Sequence, residues 1–253
     1  MAKEVDTDKV VRQHLDMEGF FTGYVIRGAK SHESVEPLRR EPLGGPPVKA
    51  STSGAIGELE AVAAEVRQCC KCGLGSTRTH PVPGEGSSTA RIMFVGEAPG
   101  ADEDAQGRPF VGRAGQLLDK IIGACGLKRE DVFIGNILKC RPPGNRDPRE
   151  EEIFSCLPYL QRQIEAIGPE VIIALGAHAA RTLLETDKPI GQLRGHFHEY
   201  STGIGRPPIK LMATYHPAYI LRNYTPETRG RVWEDMKKVL GELGLPVPDR
   251  GKG

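Results

Sequence analysis

The chain has 253 residues, 38% of them hydrophobic and 26% charged, with 34 lysines and arginines against 33 acidic residues and a formal charge of +1. That balance excludes a polybasic nucleic-acid coat and an acidic disordered tail as descriptions of the whole chain, and confines any nucleic-acid site to a local basic patch. No apolar run reaches the ~18–20 residues of a membrane span, and the opening Met1-Ala2-Lys3-Glu4-Val5-Asp6 lacks the basic-then-apolar order of a secretory signal. We therefore expect a soluble, cytoplasmic protein with no membrane partner.

Residues 1–55 carry Gly44-Gly45-Pro46-Pro47 and Ser51-Thr52-Ser53-Gly54, with one apolar island at Phe20, Phe21, Tyr24, Val25 and Ile26. This composition predicts a flexible extension or linker with a short segment able to dock on a protein partner. From Gly57 onward Leu59, Val62, Ala63 and Val66 recur at helical spacing, so an amphipathic helix runs into Cys69 and opens a domain over 56–245. Residues 246–253 form a short tail.

Within the domain, apolar runs at 91–95, 132–137, 171–175 and 209–213 predict strands. Longer periodic stretches at 114–124, 149–167, 177–184 and 226–243 predict helices, the last stopped by Gly244 and Pro246. This alternation defines an α/β fold, a three-layer doubly wound sheet of about four parallel strands with helices on both faces. Such sheets bind ligands beyond the carboxyl ends of their strands. Gly96-Glu97-Ala98-Pro99-Gly100 follows the first strand, Asn136 and Lys139-Cys140-Arg141-Pro142-Pro143 end the second, and Tyr215-His216-Pro217-Ala218 follows the fourth. Three distant segments should therefore meet at one rim.

The six cysteines are spread too widely for the framework of a small secreted domain, so metal binding is the better expectation in a reducing compartment. Cys69 and Cys72 form a Cys-x-x-Cys after the first helix, and Cys140 and Cys156 sit at a strand end and in the next helix. Four thiolates fit either structural zinc or an iron–sulfur cluster. Cys125, among Leu117, Leu118, Ile121 and Ile122, reads as a core cysteine, and Cys70 is left over.

Taken together, Gly96 to Gly100, Gly107-Arg108-Pro109-Phe110-Val111-Gly112-Arg113-Ala114-Gly115, Asn136 with Lys139 to Arg146, and Thr214 to Ala218 resemble the family 4 uracil-DNA glycosylases. That family is the iron–sulfur branch of the uracil-DNA glycosylase superfamily. The resemblance runs in order from about Val66 to Leu243 and leaves residues 1–55 uncovered. It implies a [4Fe–4S] cluster held by Cys69, Cys72, Cys140 and Cys156, with structural zinc as the alternative. It also implies hydrolysis of the N-glycosidic bond of deoxyuridine in single- or double-stranded DNA, by a monomer that leaves an abasic site.

The residue types suit that chemistry. A base acted on inside DNA must leave the stack and be read on its Watson–Crick edge. By the resemblance Phe110 stacks on the ring, while Gly96 and Ala98 contact the base. Asn136 offers an acceptor and a donor that match uracil N3–H and O4 and oppose cytosine. His216 is the expected electrophile, its N–H stabilising charge on the departing base. Ala98 stands where the best-known branch has an Asp that orients water, so Glu97 and Glu103 are the candidate carboxylates, the latter placed by the resemblance near uracil C5. Basic residues between Lys139 and Arg149, chiefly Arg141 and Arg146, are expected phosphate anchors. Arg194 is a further DNA contact by resemblance, and Tyr219, Ile220, Leu221 and Arg222 lie where an apolar wedge would enter the duplex, with the wedge residue itself unassigned. His80, His178, His196 and His198 read as surface or packing residues. A uracil-binding module of the same fold without turnover is the competing reading.

Overall fold

The computed structural model describes residues 52–202 and 207–248. Its elements are α1 (Thr52–Gln68), β1 (Glu85–Gly86), β2 (Ile92–Gly96), α2 (Ala101–Gln106), α3 (Arg113–Ala124), β3 (Phe133–Asn136), α4 (Glu150–Ile167), β4 (Val171–Leu175) and α5 (Ala177–Leu184). After them come α6 (Ile190–Leu193), β5 (Phe197–Tyr200), β6 (Ile209–Thr214), α7 (Pro217–Arg222) and α8 (Pro226–Glu242). The expected extension lies almost wholly outside the described residues.

One sheet has the order β1-β3-β2-β4-β6-β5. The four inner strands are parallel, as the sequence pattern predicts. Two antiparallel edges that the pattern did not reveal complete it. β1 is two residues long, and β5 reads Phe-His-Glu-Tyr, so neither carries the apolar run that marks a buried strand.

The inner strands are buried on both faces, which is why they read as continuous apolar runs. Ile92 and Phe94 of β2 face a layer built with Leu117, Leu118 and Ile121 of α3 and Trp233 and Met236 of α8. Met93 and Val95 face the opposite layer, with Val62 and Val66 of α1 and Leu160 and Ile164 of α4. Arg162 of α4 pairs with Glu58 and Glu65 of α1, both at 2.7 Å, and so fixes the helix that delivers Cys69. Among the described residues no helix is long and apolar enough to cross a membrane.

Candidate active site and cysteine centre

The carboxyl ends of β2, β3, β4 and β6 open onto one cavity of about 530 Å³, and Glu97, Ala98, Phe110, Asn136 and His216 all line it. Gly96 and Asn136 are paired across β2 and β3. A Cβ on Gly96 would stand 2.4 Å from Asn136 Oδ1 and 2.5 Å from the Phe110 ring, so glycine here lets the two approach. Asn136 is 1% exposed, yet its Oδ1 has no hydrogen-bond partner. An orphaned buried acceptor costs about 1–3 kcal/mol, which a ligand donor would recover. From below, the buried Lys139 ammonium donates to the Asn136 carbonyl at 3.0 Å and to Gln163 Oε1 at 2.7 Å.

Phe110 has a left-handed backbone, φ 51°. Non-glycine residues hold such angles only when their surroundings enforce them. Arg129 supplies one constraint, donating to the carbonyls of both Pro109 and Phe110 while pairing with Glu85 and Asp119. Glu103 supplies the other: Oε1 accepts the N–H groups of Val111 and Gly112 at 2.9 and 3.0 Å, and Oε2 accepts that of Gly100 at 3.1 Å. Gly115 of α3 completes the seat, since a Cβ there would fall 1.9 Å from the Phe110 carbonyl oxygen. Glu103 was expected among the catalytic carboxylates; its carboxylate is instead occupied by three backbone donors and positions the loop.

His216 caps α7. Its Nδ1 accepts the Ala218 N–H at 3.1 Å, which leaves the proton of the neutral ring on Nε2. Burial pushes the imidazole down to about 4, Arg222 acting in the same direction and Glu103 against it. The His216 and Phe110 ring centroids are 5.7 Å apart, so a donor and an aromatic face share one wall.

Across the cavity stand Glu97, Asp147 and His178. His178 Nε2 lies 4.0 Å from Glu97 Oε2 and 3.6 Å from Asp147 Oδ1. His178 was read from sequence as a surface or packing residue; the topology brings it to the cavity, because β2 and β4 are neighbours and α5 starts directly after β4. Burial pushes the Glu97 carboxyl above its ordinary value, His178 draws it back, and Asp147 pushes it further up.

The basic residues divide. Lys139 is 1% exposed and cannot be a phosphate anchor. Arg146 lines the cavity but is held by Glu152 at 2.6 and 2.9 Å. Arg141 donates to Asn145 at 2.7 Å and stays half-exposed. Arg194, expected at DNA, is locked onto the buried Asp235 at 2.7 Å, and that pairing accounts for its position. Leu221, expected in the wedge, packs on the core instead. Tyr219 lines the cavity and is the exposed large apolar side chain at that rim, and Arg222 lines the cavity beside it.

A second, smaller cleft is lined by Cys69, Cys72, Cys140 and Cys156 with Arg78 and Lys139. Arg78 Nη1 donates to Cys140 Sγ at 3.0 Å, and the Lys139 N–H to Cys156 Sγ at 3.2 Å. Burial pushes the Cys156 thiol up to about 11, so thiolate there calls for compensating positive charge. Among the described residues the one group of three or more ligand atoms within 4.8 Å of one another is Glu97, Asp147 and His178, so no three of the four sulfurs lie mutually that close. Cys125 is buried among apolar neighbours, its thiol pushed up to about 12.

A doubly wound sheet with an open cavity at its carboxyl edge, floored by a buried unsatisfied amide oxygen and walled by an aromatic ring, suits an enzyme that handles an extruded base. Residues 83–237 match the family model described as the Uracil DNA glycosylase superfamily. Similar proteins are the type-4 uracil-DNA glycosylases of Saccharolobus solfataricus, 51% identical over 73% of this chain and 86% of that one, and of Archaeoglobus fulgidus, 47% identical over 73% and 92%. The protein of the same designation from Thermotoga maritima is 46% identical over 72% of this chain and 92% of its own. The chain belongs to the type-4 uracil-DNA glycosylase family.

Proposed function

We propose that this enzyme removes uracil from DNA by monofunctional hydrolysis, leaving an abasic site in base excision repair. The buried, unpartnered Oδ1 of Asn136 at the floor of the cavity carries this reading. Uracil presents N3–H and O4 there, a donor and an acceptor that match the two ends of the Asn amide, while cytosine presents them reversed. Phe110 covers the ring face. As the C1′–N1 bond breaks, its electron pair passes to the base, and charge gathers on O2. His216 Nε2–H donates to that oxygen, an interaction stronger in the transition state than in the substrate. Water adds to C1′ and gives its proton to Glu97, the uracil anion takes up one proton from solvent as Glu97 returns one to it, and the products are free uracil and a sugar hydroxyl.

Four thiolates on one tetrahedral zinc, at ~2.3 Å each, would stand only about 3.8 Å apart. That no three of the Cys69, Cys72, Cys140 and Cys156 sulfurs lie within 4.8 Å of one another favours a [4Fe–4S] cluster, for which Arg78 and Lys139 provide nearby positive charge. The group's contribution would be architectural: it would tie the loop after Cys140 to α1 and α4. Arg141, Arg222 and the outward Tyr219 are the DNA contacts we favour, in single- or double-stranded substrate. We read the enzyme as a cytoplasmic monomer, with the apolar island at Phe20, Phe21, Tyr24, Val25 and Ile26 as the segment that docks on a protein partner.

The test is an end-labelled oligonucleotide with one uracil, incubated in EDTA and then treated with alkali, with His216→Ala alongside. Cleavage only after alkali, lost in the variant, is expected. Gel retardation without cleavage by the parent would replace the enzyme reading with that of a binding module.

A further inference from the structure

We propose that His178 is a positioning residue for Glu97, its imidazole standing beside the two carboxylates of the cavity wall and holding Glu97 charged for the attacking water. This rests on the reading of Glu97 as the proton acceptor.

The placement follows from the fold. Glu97 is the first residue beyond β2, His178 the second of α5, and Asp147 lies in the loop that leads to α4. Parallel pairing of β2 with β4 sets the first two side by side, and the loop brings the third over them. The Nε2 atom is 4.0 Å from Glu97 and 3.6 Å from Asp147, separations at which charge attraction rather than a hydrogen bond connects the groups. All three side chains line the cavity beside His216.

The other charged groups on the cavity wall are Glu103, Arg146, His216 and Arg222. Glu103 is occupied by three backbone N–H groups and Arg146 by Glu152. The charges that act on Glu97 are those of His178 and Asp147, and they act in opposite senses. His178 therefore defends the Glu97 carboxylate as the pH falls, and Asp147 works against it.

The opposed signs make the test specific. Single-turnover excision from a single-stranded uracil oligonucleotide, in EDTA to exclude divalent ions, is followed down the acid limb for parent, His178→Gln and Asp147→Asn. We expect the limb to move up by about half a pH unit in His178→Gln and down by a similar amount in Asp147→Asn, a scale set by screened unit charges a few ångströms apart. Plateau rates above the limb should stay within about threefold of the parent, because Glu97 is already charged there in all three proteins. Shifts of the same sign, or a uniform loss of rate with no shift, would overturn the proposal in favour of a packing or DNA-contact role.

Two further measurements separate this inference from the reading beneath it. In Glu97→Gln the limb should fall to the region near 4 where His216 itself charges. A parent-like limb in that variant would remove Glu97 as proton acceptor. Carbon-detected NMR titration of Glu97 in the free protein reads the His178 and Asp147 effects without turnover, and failure of Glu97 to move with the stated signs would remove the His178 assignment alone.

Discussion

Asp235, with no exposed side-chain surface, is gripped by both arms of the Arg194 guanidinium at 2.7 and 3.2 Å. Thr214, at the end of β6, donates to the same carboxylate at 2.6 Å. Arg194 also lies over the Tyr215 ring, 5.3 Å from its centroid, so the pair anchors α8 to the strand that carries His216.

Removing one partner of a buried pair leaves the other charge uncompensated, typically at a cost of about 3–5 kcal/mol. Arg194→Ala should lose stability on that scale in denaturant unfolding. Its salt dependence of binding to uracil-free DNA should match the parent. A DNA role for Arg194 would instead lower the salt slope by about one phosphate contact while sparing the fold.

Asn136→Ala removes both groups that read the base edge. Excision efficiency, kcat/KM, should fall by at least about 100-fold, as expected when two hydrogen bonds of ~1.5 kcal/mol are lost. Single-turnover kinetics at saturating DNA measure it, and a loss below tenfold would remove Asn136 from base recognition.

His216 gives a pH-dependent stability with a defined sign. Between about 4 and its ordinary value of 6.5, the imidazole of the unfolded chain takes up a proton that the native one refuses. Native stability therefore falls as the pH drops through this window, by up to about 3 kcal/mol at the lower end. Thermal melts of His216→Gln should show a flatter profile there than the parent, and the variant should lose roughly 100-fold in kcat, the scale for one oxyanion donor.

Arg129→Met frees the carbonyls of Pro109 and Phe110. The expected result is a rise in KM and a loss of about tenfold in kcat/KM, with the folded core retained. Unchanged kinetics would show that Glu103 and Gly115 suffice to hold Phe110.

Purified anaerobically, the protein should carry iron and acid-labile sulfide in equal amounts and absorb visible light through iron–sulfur charge transfer. Cys140→Ala should lose iron and fold stability before it loses chemistry per folded molecule. Zinc in place of iron, or a Cys140→Ala variant that keeps its full colour, would refute the ligand assignment.

The parallel strands and long helices were legible because burial on two faces writes continuous apolar runs, and on one face a helical period. The helix over 177–184 agrees residue for residue with α5. The edges were not legible: β1 borrows two residues from a loop, and β5 places a histidine and a glutamate in a strand. At the site, Asn136 and His216 stood out because each ends or follows an apolar run, and Phe110 through the resemblance carried by its Gly107–Gly115 loop. Arg129 and Glu85, 44 residues apart, left no local trace, since their value lies in a tertiary ion pair. His178 was passed over because nothing in its own helix signals that β4 emerges beside β2. Arg194 misled for the complementary reason: its partner, Asp235, is 41 residues further on.

The left-handed backbone at Phe110 bears on when the enzyme becomes ready. Arg129, Glu103 and the bare face of Gly115 impose that angle as the chain folds, long before a lesion is met. Nothing in this wall then waits on nucleic acid for its shape. The main work left at each encounter belongs to the duplex, which must part with a base; a site already unpaired or poorly stacked would be the swiftest to yield one.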